Sequence, residues 1–161
     1  MPPYQGGGEM IESVHVDRIT YNVPPHRFEA GTPAIVEAVG LGAAMNYMMQ
    51  LGRERIARHE AEISAYAHEV LGQYKWLTIH GTAPGKGAIL SFSVEGLHPH
   101  DVSTIIDRSV VAIRPGHQCA QPLLERLGVP ATCRASFAMY NTKAEVDALA
   151  ASLVKAKELF A

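Results

Sequence analysis

The apolar residues of this chain change their spacing at Gly72, and that change limits the folds open to it. Between residues 32 and 71 they recur with the period of an α-helix. After Gly72 they form short runs separated by turns rich in Gly and Pro. Short strands that alternate with helices indicate an α/β unit. With 161 residues, the chain is long enough to bury a core without disulfides or a structural metal.

Two helices are predicted before the change. Thr32-Pro33 is a typical helix start, because Thr caps a helix and Pro suits its first position. The first helix would end at Gly52, and its apolar residues on every side predict that it is largely buried. The second would run from Arg53 to about Leu71 and is amphipathic. Its apolar stripe consists of Ile56, Ile63, Tyr66 and Val70.

Short elements are predicted in the rest of the chain. Before the helices, two β segments span residues 11–16 and 18–23 of a Pro- and Gly-rich stretch that is too small to form its own core. After Gly72 we expect strands at 77–80, 88–94, 110–114 and 133–140, and helices at 100–107 and 122–127. The strand at 110–114 is predicted to be buried. A capping box at Thr142–Glu145 starts the last helix, whose apolar face would be Val146, Leu149, Leu153, Val154 and Phe160.

Charge and cysteine content exclude several classes of protein. There are 14 Lys and Arg against 16 Asp and Glu, so neither a nucleic-acid footprint nor a cationic membrane face is expected. The longest apolar stretch, Ala43–Leu51, is too short to span a bilayer, and the start of the chain lacks the pattern of a signal peptide. Two cysteines without a CxxC motif suit neither a disulfide framework nor a zinc ribbon. A reducing, cytoplasmic setting is the simplest expectation.

The segment Arg114–Pro122 holds the strongest candidate for chemistry, Cys119. It lies between a predicted strand and the start of a predicted helix, with Arg114 and His117 nearby. A helix N-terminus and cationic neighbours both stabilise a thiolate, which is the reactive form of cysteine. The alternative is a buried, inert cysteine. Cys133, which opens a predicted strand, is expected to be such a structural residue.

Four other positions have both a binding and a structural interpretation. Arg134 offers the planar, bidentate donor that a carboxylate ligand requires, or it is a solvated strand residue. Thr32 precedes a helix and could contact a phosphate, although capping explains it equally well. The glycines from Gly6 onward allow a ligand to approach the backbone or form a flexible turn. The pair His98 and His100 suggests metal ligation, but without a third ligand a helix-capping role is favoured.

Five ordered motifs resemble one family, the group II (SufS-type) cysteine desulfurases and selenocysteine lyases, which depend on pyridoxal phosphate. The motifs span residues 2–11, 27–33, 97–102, 114–121 and 134–142. The resemblance implies the C-terminal part of a fold-type I enzyme. Residues 1–51 would be the tail of the large cofactor-binding domain, with a short β segment and a buried helix. Residues 52–161 would be the small α/β domain, a small mixed or antiparallel sheet with helices packed on it.

The resemblance also implies roles for single residues. Cys119 would take sulfur from L-cysteine and hold it as a persulfide, leaving L-alanine, with His117 assisting. Arg134 would bind the substrate carboxylate, with Arg114 in the same pocket. Thr32 and Gly6 would reach the cofactor phosphate of the partner subunit in a homodimer. The sulfur would pass to an acceptor protein of SufU or SufE type for iron–sulfur cluster assembly, and His100 would transiently bind the zinc of a SufU-type acceptor.

Two departures from the family pattern qualify these expectations. Gln118 stands where the family usually has a second histidine, and Pro115 stiffens the loop. The lysine that anchors the cofactor is absent: the lysines here (Lys75, Lys86, Lys143, Lys155 and Lys157) lack the family's preceding histidine. The chain alone is therefore expected to be an inactive fragment that exposes apolar surface and self-associates. A stand-alone interaction or sulfur-carrier module and a selenocysteine lyase are the alternatives.

Overall fold

The computed structural model of the chain describes residues 1–160 and separates into two compact units. The first unit is Met1–Leu51 and the second begins at Gly52. Within residues 1–160, no helix combines the length and the apolar character needed to cross a membrane. The two units are described in turn.

The first unit consists of a hairpin, a short 3-10 helix and one α-helix. Strands β1 (Ile11–Val14) and β2 (Ile19–Tyr21) lie within the two predicted β segments, and they pair antiparallel. The 3-10 helix spans His26–Phe28, and helix α1 spans Ile35–Leu51. Only Met10 is a buried apolar residue in this part of the chain.

Helix α1 corrects two predictions. It begins at Ile35, so Thr32 does not cap it. None of its residues is buried, because no other part of the unit covers this helix, although it is apolar all round. The expectation of exposed apolar surface is confirmed, whereas self-association stays a prediction. The exposed large side chains of α1 are Ile35, Val36, Val39, Leu41, Met45, Tyr47, Met48 and Met49.

The second unit is built on a four-stranded antiparallel sheet. Its strands are β3 (Leu77–His80), β4 (Ile89–Val94), β5 (Arg114–Gly116) and β6 (Thr132–Ser136). Their spatial order is β3-β4-β6-β5, so the last strand along the chain lies between β4 and the edge strand β5. Because side chains alternate across a strand, each strand gives one set of residues to the core and the other to the opposite face.

Helices cover one face of this sheet. They are α2 (Arg53–Leu71), α3 (Pro99–Asp107) and α5 (Lys143–Glu158), whereas α4 (Gln121–Leu127) follows β5. The core contains Leu90 and Phe92 of β4 together with buried residues of α2, α3 and α5. The other face of β4 and β6 carries polar residues, among them Ser91 and Arg134, which are paired in register.

The prediction of a buried strand at residues 110–114 is wrong. Val110 is 95% exposed with φ 60°, and the strand begins only at Arg114. The N–H of Val110 donates to Asp107 O and that of Val111 to Ile106 O, so this stretch still forms the end of α3.

Two further predictions concern the end of the chain. Strand β6 ends at Ser136 instead of Tyr140, because a turn follows in which Ala138 N–H donates to Asn141 Oδ1. The capping box of Thr142 and Glu145 is confirmed. On the predicted face of α5, Val146, Leu149 and Leu153 are buried, Val154 is half-buried and Phe160 is exposed.

Candidate active site

Cys119 lies in a tight turn that follows β5. The N–H of Ala120 donates to His117 O at 2.9 Å, and the two central residues, Gln118 and Cys119, have φ of 56° and 57°. Two positive φ angles with this hydrogen bond are the pattern of a type I′ turn, which usually contains Gly, Asn or Asp. Cys119 is exposed, and Ala120 occupies the N-cap position of the seven-residue helix α4. The turn therefore presents the thiol to solvent, as the reactive interpretation of Cys119 requires.

Arg114 places a positive charge beside this thiol. Its Nη2 lies 3.8 Å from Cys119 Sγ, within the range of a hydrogen bond to sulfur. Strand β5 fixes the Arg114 backbone, and the turn brings Cys119 back toward it. The structure thus joins two of the predicted site residues.

Arg134 stands directly opposite Arg114 in the β5–β6 ladder. Opposed residues of an antiparallel pair project from the same face, where two like charges repel each other. Within residues 1–160 neither arginine forms a salt bridge, the one ion pair being His26–Glu29. Arg134 is half-buried, and its Nε is buried without a hydrogen-bond partner. Two arginines without an acidic partner on one sheet face are residues to which a carboxylate would bind favourably.

A cavity of about 520 Å³ opens at the turn, which is a typical size for a small-molecule site. Its walls include Arg114, His117, Cys119 and His100. Arg134 does not line this cavity, although it shares a sheet face with Arg114. That the two arginines bind one substrate stays a prediction. His100 comes from the start of α3, and no local sequence spacing relates it to Cys119.

His98 caps α3, as the capping interpretation predicted. Its Nδ1 accepts the N–H of His100 at 3.3 Å, and the two rings stack with centroids 5.4 Å apart. Among residues 1–160, no three His, Cys, Asp or Glu side chains are grouped so that they could hold a metal ion.

Cys133 is buried, whereas Cys119 is exposed. Cys133 is 1% exposed, and its Sγ lies 3.7 Å from Pro99 O. Burial raises the pKa of the Cys133 thiol to about 12. The prediction that Cys133 is a core residue is confirmed.

Sequence reasoning gave Gln118 no positive role, yet its side chain is firmly placed. Its Nε2 donates to Arg114 O at 3.0 Å and to Thr132 O at 3.4 Å. Its Oε1 is buried without a hydrogen-bond partner among the described residues. No sequence signal could have shown this, because Thr132 is distant along the chain.

The predicted phosphate-binding residues lie in the first unit, on two adjoining loops. Gly31 N–H donates to Gly8 O at 2.9 Å, and a Cβ on Gly7 would lie 3.1 Å from Gly31 N. A Cβ on Gly6 would meet nothing within 4 Å, and Thr32 is exposed. The contacts of Gly31 with Gly7 and Gly8 place the two loops that carry Gly6 and Thr32 next to each other. That these residues reach a cofactor phosphate stays a prediction.

Comparison with known proteins shows the family of this chain. Residues 1–149 match the family described as Aminotransferase class-V. A probable cysteine desulfurase of Xylella fastidiosa (strain 9a5c) is 48% identical over 159 residues, which cover 99% of this chain and 38% of that protein. The chain thus spans less than two fifths of that relative's length.

Solved structures give the same result. The crystal structure of the cysteine desulfurase CsdA from Escherichia coli matches with a TM-score of 0.88 at 34% identity, over 99% of this chain and 39% of that one. The apo structure of a cysteine desulfurase from Thermococcus onnurineus NA1 matches with a TM-score of 0.84 at 39% identity, over 98% of this chain and 39% of that one. The chain therefore belongs to the aminotransferase class-V family.

Proposed function

We propose that this chain is the C-terminal part of a pyridoxal-phosphate-dependent cysteine desulfurase, which moves sulfur from L-cysteine to Cys119 and leaves L-alanine. The observation that carries the proposal is the contact between Arg114 Nη2 and the exposed Cys119 thiol, at 3.8 Å. In the sheet, Arg114 of β5 lies opposite Arg134 of β6. A nucleophile and two unpaired cations on one side of a sheet suit an anionic substrate with an electrophilic sulfur.

The arginines bind and orient the substrate in this proposal. Arg134 takes the carboxylate of L-cysteine through its guanidinium group, and Arg114 adds a second positive charge. Binding the anion relieves the repulsion between the two arginines. The substrate is thereby held with its sulfur toward the Cys119 turn.

Cys119 then acts as the nucleophile. Its thiolate forms an S–S bond with the substrate sulfur while the C–S bond breaks, and the electron pair of that bond stays with carbon. Pyridoxal phosphate, when bound, supplies the electron sink for this chemistry. His117, in the wall of the same cavity, accepts the thiol proton. Protonation of carbon completes L-alanine, and Cys119 keeps the sulfur as a persulfide.

The first unit contributes to cofactor binding. Thr32 and the open backbone at Gly6 would hold the phosphate of the cofactor bound by the partner subunit of a homodimer. The cofactor lysine lies outside this chain. Residues 1–51 are the tail of the large domain and residues from 52 onward form the small domain, so the exposed apolar side chains of α1 pack on the large domain.

Sulfur leaves Cys119 for an acceptor protein of SufU or SufE type, in a cytoplasmic pathway of iron–sulfur cluster assembly. The exposure of Cys119 at an open cavity supports such a handover. His100, in the cavity wall, transiently binds the zinc of a SufU-type acceptor. If His100→Ala leaves acceptor-stimulated turnover of the full-length enzyme unchanged, this last step is wrong.

The test of the proposed function compares two cysteine variants of the full-length protein. Cys119→Ala should abolish alanine formation from L-cysteine while the absorbance of the bound cofactor is kept, whereas Cys133→Ala should retain activity. Continued sulfur transfer by Cys119→Ala would contradict the proposal.

A much larger rate with L-selenocysteine, maintained without Cys119, would indicate a selenocysteine lyase. An intact cellular protein near 17.4 kDa would indicate a stand-alone module.

A further inference from the structure

We propose that Gln118 is a positioning residue whose side-chain amide holds the Cys119 turn closed and keeps the sulfur beside Arg114. This inference rests on the proposed function, because it assigns a role in placing the nucleophile of that reaction. Gln118 itself touches neither substrate nor sulfur in the proposal. It acts on the backbone that carries Cys119.

The turn needs such support because its backbone is unfavourable for the residues it contains. Gln118 and Cys119 are consecutive residues with φ near +57°, and each has a Cβ that is crowded in this left-handed region. One backbone hydrogen bond, from Ala120 N–H to His117 O, closes the turn. Without further contacts, a non-glycine sequence would relax toward negative φ.

The Gln118 amide supplies those contacts across two strands. Its Nε2 donates to Arg114 O on β5 and to Thr132 O on β6, at 3.0 and 3.4 Å. Strands β5 and β6 pair through Gly116 and Thr132, so the amide bridges the strand before the turn and its neighbour. Both donors of the amide are engaged by backbone oxygens that belong to the sheet. The amide therefore ties the turn to the most regular part of the site.

Arg114 links this bridge to the sulfur. Its backbone oxygen accepts from Gln118, while its guanidinium Nη2 lies 3.8 Å from Cys119 Sγ. The same residue thus receives the bridge and contacts the nucleophile. When the bridge is lost, the turn relaxes and the sulfur moves away from Arg114.

The test uses two near-isosteric variants of the full-length holoenzyme. Gln118→Glu keeps the shape but has no donor at neutral pH, and Gln118→Met has no polar atom and serves where the glutamate variant fails to fold. Gln73→Met is the matched control, because Gln73 is an exposed glutamine with one long bond, to Glu69 O at 3.5 Å. Hydrogen exchange of the Ala120 amide, resolved by mass spectrometry of peptide fragments, reports closure of the turn. Hydrogen exchange of the Phe92 amide, in the buried part of β4, reports whether the fold of the sheet is intact.

Both Gln118 variants should exchange the Ala120 amide about tenfold faster, while the Phe92 amide and the Gln73→Met control are unchanged. The rate of persulfide formation, measured as kcat for alanine, should fall about tenfold, with KM for L-cysteine within about twofold because the Arg134 side chain is untouched. If Gln118 only fills space, kcat should not fall selectively while KM stays nearly unchanged.

Each other result overturns part of the account in a distinguishable way. Unchanged exchange at Ala120 would show that Gln118 does not hold the turn. Faster exchange with unchanged kcat, or with a raised KM, would show that closure of the turn does not position the nucleophile. If the unmodified holoenzyme forms no alanine, the proposed function fails, whereas the exchange measurement still decides whether Gln118 holds the turn.

Discussion

Arg114 and Arg134 face each other directly across the β5–β6 ladder, and no acidic side chain pairs with either of them in residues 1–160. Two like charges at this spacing lower the stability of a sheet. The pair therefore connects the stability of the small unit to its proposed ability to bind an anion.

Replacing Arg134 should separate these two effects. In the full-length enzyme, Arg134→Ala should raise KM for L-cysteine by tenfold or more. The KM of Arg134→Lys should lie between those of the unmodified enzyme and Arg134→Ala, because lysine keeps the charge but lacks the bidentate geometry. In the chain, urea unfolding of Arg134→Ala should show unchanged or increased stability, by up to about 1 kcal/mol. Arg126→Ala, an exposed arginine in the last turn of α4, is the control. A clear loss of stability in Arg134→Ala with normal KM would make Arg134 a structural residue.

Val110 should be an unfavourable residue at its position. It is 95% exposed with φ 60°, so its side chain gains almost no burial while its Cβ is crowded. We expect Val110→Gly to stabilise the chain by about 0.5–1 kcal/mol in urea unfolding. Gly128 caps α4 at φ 72°, and Gly128→Ala should lower stability by about 1 kcal/mol. Lower stability of Val110→Gly would mean that its side chain has a packing role.

The capping box of α5 predicts a pH dependence of stability. The backbone N–H and then the hydroxyl of Thr142 donate to the Glu145 carboxylate, at 2.6 and 3.1 Å, and lower its pKa from the ordinary value of 4.5. A lowered folded-state pKa stabilises the fold above pH 4.5, and this contribution is lost as pH falls through the lower value. The difference in unfolding free energy between the parent chain and Glu145→Gln should therefore be largest near neutral pH and shrink on acidification. A difference that grows toward low pH would contradict the assignment.

The exposed apolar side chains of α1 should drive self-association of the chain. Val36 and Val39 are 80% and 69% exposed, and they lie within a larger apolar surface. Replacing both with Glu should lower the average mass seen by sedimentation velocity, while circular dichroism retains the helical signal. Glu37→Gln, a neighbouring change of charge alone, should leave association nearly unchanged. A strictly monomeric parent chain would refute the prediction.

Local patterns in the sequence predicted the amphipathic helix α2, the two β segments of the first unit and the capping box, because each depends on neighbours along the chain. They failed at Val110, where a run of β-branched residues suggested a buried strand although the chain was still leaving α3. The burial predicted for α1 was also wrong in the described residues, because apolar residues on every side of a helix do not specify what covers them.

The site could be predicted only in part. The loop around Cys119 and its cationic neighbours were visible as one segment. The register that sets Arg114 against Arg134, and the bridge from Gln118 to Thr132, depend on pairing between distant strands. Local periodicity does not encode such pairing. The approach of His100 to the same cavity was hidden for the same reason.

The central claim, that Cys119 receives sulfur from L-cysteine, has one most direct measurement. The full-length holoenzyme is treated with L-cysteine in the absence of an acceptor and reductant, alkylated and digested, and both cysteine peptides are weighed by mass spectrometry. The Cys119 peptide should gain the mass of one sulfur atom in proportion to the alanine formed, and the Cys133 peptide should gain none. Alanine formation without added sulfur on Cys119 would contradict the account.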